Sequence, residues 1–173
     1  AMLEHAGRDI KGMRVSVSGS GNVAQYAIEK LLELGAKPIT CSDSSGTVID
    51  EDGFTAEKLA VLMEIKNHLY GRVSDYAERV GARFEPNVRP WHVPVEVALP
   101  CATQNEVDAD DAATLVKNGV VAVAEGANMP STIEAVKIFE LNGVLYAPGK
   151  ASNAGGVATS GLEMSQNAMR ISW

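Results

Sequence analysis

The 173-residue chain is poor in cysteine, with two, in histidine, with three, and in aromatic residues, which make up 5% of it. Each scarcity excludes a class of protein. Cys41 and Cys101 lie inside or at the ends of apolar stretches, so both read as buried free thiols rather than a disulfide framework or zinc site. His5, His68 and His92 are scattered and none belongs to an H-x-x-x-H pattern, so no metal site is expected. The acidic run Asp50-Glu51-Asp52-Gly53 lacks EF-hand spacing and reads as a solvated turn. Positive charge is also scarce: Lys and Arg total 15 against 22 Asp and Glu, a net charge of −7, and the basic residues are scattered. Nucleic acid is therefore not an expected partner. The longest apolar run, residues 119–124, is stopped by Glu125, far short of the ~18 residues of a membrane span, so no membrane partner is expected. The first residues show neither an apolar core nor a cleavage pattern, and a cytoplasmic location is expected.

What is present is an ordinary globular composition, 46% apolar and 21% charged, at a length that suits one hydrophobic core. Residues 14–18 alternate as a strand, and residues 22–34 place Val23, Ala27, Ile28, Leu31 and Leu34 at helical spacing before Gly35. Residues 37–42 read as a second strand, ending in the turn Asp43-Ser44-Ser45-Gly46. Helices follow over 55–68 and about 73–80, then a strand within 93–100, a helix from Asp108 to about 118, and an apolar strand at 120–125. A helix capped by Ser131 or Thr132 and a strand at 144–147 complete the alternation. This pattern predicts an α/β fold: a Rossmann-type, doubly wound, mainly parallel sheet with helices on both faces. Residues 155–173 read as one further helix with Val157, Leu162, Met164, Met169 and Ile171 apolar.

The first strand runs into Gly19-Ser20-Gly21-Asn22-Val23-Ala24, a G-x-G-x-x-A match that opens a helix. In that position the first glycine permits a tight turn, Gly21 lets backbone approach a pyrophosphate, and Ala24 permits close packing, while the helix N-terminus offers N–H donors. Asp43 follows Gly19 by 24 residues, near the ~20 expected of a ribose-binding carboxylate. Asp43 alone favours NAD, whereas Ser44 and Lys66 could receive the 2′-phosphate of NADP; Lys66 reads equally well as a solvated helix lysine. Thr103 and Asn128 follow two strand ends, where they could fix a ribose or carboxamide or merely cap turns. Ser160 shares a helix face with Gly156 and Val157, which suits either a carboxylate site or simple packing. Cys101 as a nucleophile would need a positioned base, and none is visible.

Taken together, the stretches 11–24, 42–46, 99–105, 125–130 and 147–167 resemble the nucleotide-binding domain of the glutamate dehydrogenase family, of the hexameric bacterial type. Residues 1–13 then read as the end of a preceding linker helix and 14–173 as a dinucleotide-binding domain truncated at its C-terminal helix, a piece cut at both ends. The resemblance implies reversible oxidative deamination of L-glutamate to 2-oxoglutarate and ammonia, with a nicotinamide cofactor taking the hydride. It implies cofactor contacts from Gly19, Ser20, Gly21, Asn22, Val23, Asp43, Ser44, Lys66, Ala102, Thr103, Asn128 and Asn153, and substrate contacts from Val157 and Ser160. NADP is the implied cofactor, with NAD as the alternative, and the intact enzyme is expected to be a homo-hexamer. The family's catalytic lysine and aspartate match no stretch of this chain, so it is expected to bind cofactor without turnover. Two rivals remain: a related amino-acid dehydrogenase, against which the Ser160 hydroxyl weighs, and a non-catalytic nucleotide-sensing module, which has no use for residues 153–163.

Overall fold

A single helical turn, α1 (Met2–His5), tucks Leu3 against the core ahead of β1 (Arg14–Val17). In this computed structural model, which describes residues 1–170, Val15 and Val17 are wholly buried. The chain then turns into α2 (Asn22–Glu33), which buries Ala24, Gln25, Ile28 and Leu31 and turns its charged residues outward. Gly35 follows in the left-handed conformation at φ +74, and β2 (Lys37–Pro38) pairs parallel to β1 at the sheet edge, where a proline costs no ladder bond.

The sequence pattern predicts one strand over 37–42, but the chain divides at Ile39. Beyond it, the Thr40 side chain takes over the pairing with β1: its hydroxyl accepts the Val17 N–H at 2.9 Å and donates to the Val17 carbonyl at 2.9 Å. With those groups satisfied by a side chain, the backbone of Thr40 is left free to pair on its other side, and Ser42 N–H returns to the Gly19 carbonyl at 3.1 Å. The chain forms β3 (Thr40–Asp43), which makes an antiparallel hairpin with β4 (Gly46–Ile49). Neither β4 nor its other neighbour is among the expected strands.

Between them lie α3 (Ala56–Met63), capped by the Thr55 hydroxyl, and α4 (Val73–Val80), closed by Gly81 at φ +71. The expected helix over 55–68 is continuous, yet its last turn, Glu64–His68, widens to a π-helix. The turn carries Asn67 to Gln25, where the two amides exchange hydrogen bonds of 3.0 and 3.1 Å. β5 (Arg83–Pro86) then adds to β4 in antiparallel register. Gly46 stands where a Cβ would lie 2.2 Å from the Glu85 carbonyl oxygen, so this small second sheet admits only glycine there.

The remaining elements follow the expected alternation: β6 (Val97–Leu99), α5 (Ala109–Lys117), β7 (Ala122–Ala124), α6 (Ile133–Leu141) and β8 (Leu145–Ala147). Asp108 caps α5 and Thr132 caps α6. The main sheet has the order β2-β1-β6-β7-β8 with every pairing parallel. Successive strand residues feed opposite cores: Val97 and Ala122 join Ile28, Leu31 and Leu62 on one face, while Ala98 and Val123 join Trp91, Leu115 and Phe139 on the other. The chain ends in a short α7 (Gly149–Ser152) and the longer α8 (Ala154–Met169). The C-terminal helix is present, but none of its residues is buried, and Val157, Leu162 and Met164 are exposed. Ile171, expected on the same helix, lies outside the described residues. Among the described residues, no helix is long and apolar enough to cross a membrane.

Thr40→Val preserves shape and volume but leaves the buried N–H and C=O of Val17 without partners. It is expected to lower the unfolding free energy by about 2–4 kcal/mol in urea titrations. A loss below about 0.5 kcal/mol would mean that backbone pairing replaces the side chain.

Candidate functional site

Strand β1 is flanked by β2 on one side and β6 on the other, so the connections from the sheet's middle diverge there and open a crevice at the strands' carboxyl ends. Gly19 sits at its base, at φ +82, where a Cβ would lie 3.0 Å from the Cys101 carbonyl oxygen and 3.2 Å from the Ala102 Cα. Two positions on, Gly21 is the N-cap of α2 and meets nothing within 4 Å of where its Cβ would be. No side chain caps α2, which leaves its first N–H groups pointing at that open space. Gln25, buried in α2, donates to the Ser20 carbonyl at 2.8 Å and so steadies the loop from behind.

Asp43 closes one end of the crevice. One carboxylate oxygen accepts from the Ser45 N–H at 2.8 Å and the Ser45 hydroxyl at 2.5 Å. The other accepts from the Val73 N–H at 3.1 Å and from Lys66 Nζ at 3.2 Å, and Lys66 also donates to the Gly71 carbonyl at 2.9 Å. Burial opposes ionisation of Asp43, but the bonds from Ser45, Val73 and Lys66 outweigh it and hold its carboxyl below the usual carboxylate range. Lys66 is therefore an inward-facing, ion-paired lysine and not a solvated one. Beside it, Arg72 Nη1 donates to the Ser44 hydroxyl at 2.8 Å, on the exposed side.

The loop after β6 lies opposite. Glu106 is buried and one of its oxygens accepts the N–H groups of Ala102 at 2.9 Å and Thr103 at 3.2 Å. Burial pushes its carboxyl above the ordinary glutamate range. The amides of Ala102 and Thr103 are thus already engaged, and it is their other groups that face the crevice. Gly19, Ser20, Gly21, Asn22, Val23, Asp43, Ser44, Ala102 and Thr103 all line one cavity of about 570 Å³.

A second cavity of about 620 Å³ shares Val23, Cys101, Ala102 and Thr103 with the first and continues it along the sheet edge. Its far end is lined by Asn128, Asn153, Val157 and Ser160. Asn153 Nδ2 donates to Asn128 Oδ1 at 2.9 Å. Thr159 and Ser165 hydroxyls bond back to helix carbonyls, whereas among the described residues the Ser160 hydroxyl has no such partner. Cys101 lies beneath both cavities with its thiol pushed up to about 12, chiefly by burial, which agrees with a structural role.

All the sequence-derived residues therefore gather on one groove except Lys66, which touches it only through Asp43. Sequence reasoning missed Arg72 and Glu106. No local cue carries the start of α4 to Ser44, whereas an acid four residues after a strand-end turn, as Glu106 is after Ala102, is a recognisable amide acceptor.

A family model described as Glutamate/Leucine/Phenylalanine/Valine dehydrogenase matches residues 1–173. The NADP-specific glutamate dehydrogenase of Escherichia coli (strain K12) is 66% identical over 173 residues, covering 100% of this chain and 39% of that protein. The NADP-specific glutamate dehydrogenase of Haemophilus influenzae is 62% identical over 173 residues, covering 100% of this chain and 38% of that protein. Among solved structures, Plasmodium falciparum glutamate dehydrogenase superposes with a TM-score of 0.92 at 49% identity, over 99% of this chain and 37% of that one. The hetero-hexameric glutamate dehydrogenase of Thermus thermophilus, at 24% identity, shares the fold with a TM-score of 0.74, over 99% of this chain and 38% of that one. The chain spans 39% of the length of the Escherichia coli relative. With the family model matching the sequence from end to end and the glycine loop standing at the sheet's switch point, this chain belongs to the glutamate/leucine/phenylalanine/valine dehydrogenase family.

Proposed function

We propose that this chain is the dinucleotide-binding domain of a cytoplasmic, NADP-dependent glutamate dehydrogenase that interconverts L-glutamate with 2-oxoglutarate and ammonia. The observation that carries the cofactor choice is the state of Asp43. Both its oxygens are occupied by Ser45, Val73 and Lys66, so no lone pair is left over to receive the 2′-hydroxyl of NAD in preference. Ser44 and Arg72 instead offer a hydroxyl and a guanidinium on the exposed side, donors that suit a phosphate. The 66% identity to an NADP-specific glutamate dehydrogenase supports the same reading.

In this reading the uncapped N–H groups of Asn22 and Val23 receive the pyrophosphate, with Gly19, Ser20 and Gly21 forming its turn. Ala102 and Thr103 line the middle of the groove, and Asn128 and Asn153 hold the nicotinamide end through their amides. The bound nicotinamide supplies hydride transfer. Ser160 offers its hydroxyl to the side-chain carboxylate of the substrate, and Val157 packs against the methylenes.

Deamination also needs a group that moves protons. Among the described residues lining the second cavity, Cys101 is the only titratable one, and its thiol sits at about 12. The second cavity orients and holds the nicotinamide and substrate without a group suited to acid–base work, so the catalytic acid and base, like the homo-hexameric assembly, belong to the intact enzyme.

Two outcomes follow. Arg72→Ala is expected to weaken NADPH binding about tenfold in calorimetric titrations while NADH binding stays within about twofold. Equal losses for both cofactors would remove Arg72 from the 2′-phosphate site. The purified chain with NADP and glutamate is expected to give no absorbance of reduced cofactor, and glutamate-dependent reduction by this chain alone would overturn the division of roles.

A further inference from the structure

Glu125 is 3% exposed at the carboxyl end of β7, and the chemistry just described does not use it. One oxygen accepts the Tyr146 hydroxyl at 2.7 Å and the Ser131 N–H at 3.3 Å, and the other accepts the Gly149 N–H at 2.8 Å. All three donors are neutral, and among the described residues no cation lies within ion-pair distance of it. A buried polar group whose hydrogen bonds are all satisfied by donors from different segments fixes the geometry of those segments.

The three donors come from the end of loop 126–131, from strand β8 and from the first residue of α7, and Asn153 Nδ2 adds contacts of 3.4 Å to the Gly126 and Ala127 carbonyls of the same loop. The Glu125 carbonyl also accepts the Ser152 hydroxyl, one residue before Asn153. Gly149 is pressed so close that a Cβ there would lie 2.8 Å from the Ala127 carbonyl oxygen and 3.5 Å from the carboxylate. The elements clamped in this way are the ones that carry Asn128, in the loop, and Asn153, at the end of α7.

We propose that Glu125 is a positioning residue whose buried carboxylate ties loop 126–131 and α7 together, so that Asn128 and Asn153 are held in register at the nicotinamide end of the groove. The inference rests on the dinucleotide reading above, and its test uses two ligands to separate the two. Adenosine 2′,5′-bisphosphate fills only the end near Ser44 and Arg72, whereas NADPH reaches both ends.

With the purified chain, NADPH is expected to bind more tightly than the bisphosphate. In Glu125→Ala that advantage should shrink about tenfold, with bisphosphate affinity within about twofold of the parent and the shifted emission of bound nicotinamide lost. Glu125→Gln, which keeps the shape and one acceptor oxygen, should restore part of both. An unchanged advantage in Glu125→Ala would overturn the inference. If Glu125→Ala loses both ligands together with its circular dichroism, Tyr146→Phe decides: removal of one bond should reduce the advantage about twofold to threefold, and no reduction overturns the inference. A parent chain that binds neither ligand defeats the dinucleotide reading and this inference with it; one that binds both, with ratios unaltered in the variants, defeats this inference alone.

Discussion

Gly19 and the Cys101 carbonyl meet where the chain changes its direction of travel across the sheet, and the groove exists because nothing larger than a hydrogen atom stands between them. A serine secures each side of that contact. The Gly19 N–H donates to the Ser42 hydroxyl at 2.9 Å, and the Cys101 N–H donates to the Ser18 hydroxyl at 2.8 Å. The approach fixes the angle at which α2 leaves the sheet, and with it the direction of the N–H groups that face the open space at Gly21. It also places Val23 beside Gly126, where a Cβ would lie 2.6 Å from Cys101 Sγ and 3.0 Å from Val23 Cγ1. Two glycines from different loops thus bring three strand ends to one line.

The parallel sheet was legible in the sequence because its central strands are buried on both faces, which leaves apolar runs such as 120–124 between helical segments. The small antiparallel sheet was not. Its first strand meets β1 at Val17 through the Thr40 hydroxyl in place of backbone, a substitution that no periodicity records. Its third strand, Arg83–Pro86, pairs with residues some 37 positions earlier and has neither face buried. The widened turn at Glu64–His68 was equally hidden, since its apolar spacing is that of an ordinary helix.

The site divides along the same line. Glycine spacing and the position of Asp43 were readable because they are set within one βαβ unit. Whether Asp43 is free or satisfied depends on Val73 and Lys66, which reach it from α4 and the π-helical turn. Specificity at that corner is consequently a tertiary property, although every residue in it lies within about 30 positions of Asp43. The helix α8 shows the opposite case: its sequence signals a buried face, yet none of its described residues is buried.

The two thiols have a practical consequence. Cys41 and Cys101 are both buried, and burial raises both above the ordinary thiol range, so in the folded chain neither offers a thiolate to an alkylating reagent. Labelling then requires the surrounding structure to open. Cys41 sits on β3 of the small sheet within the core, and Cys101 lies under the groove floor. The two sites are built-in clocks for different motions, one timing release of the hairpin from the main sheet and the other timing separation of the strand ends that Gly19 holds together.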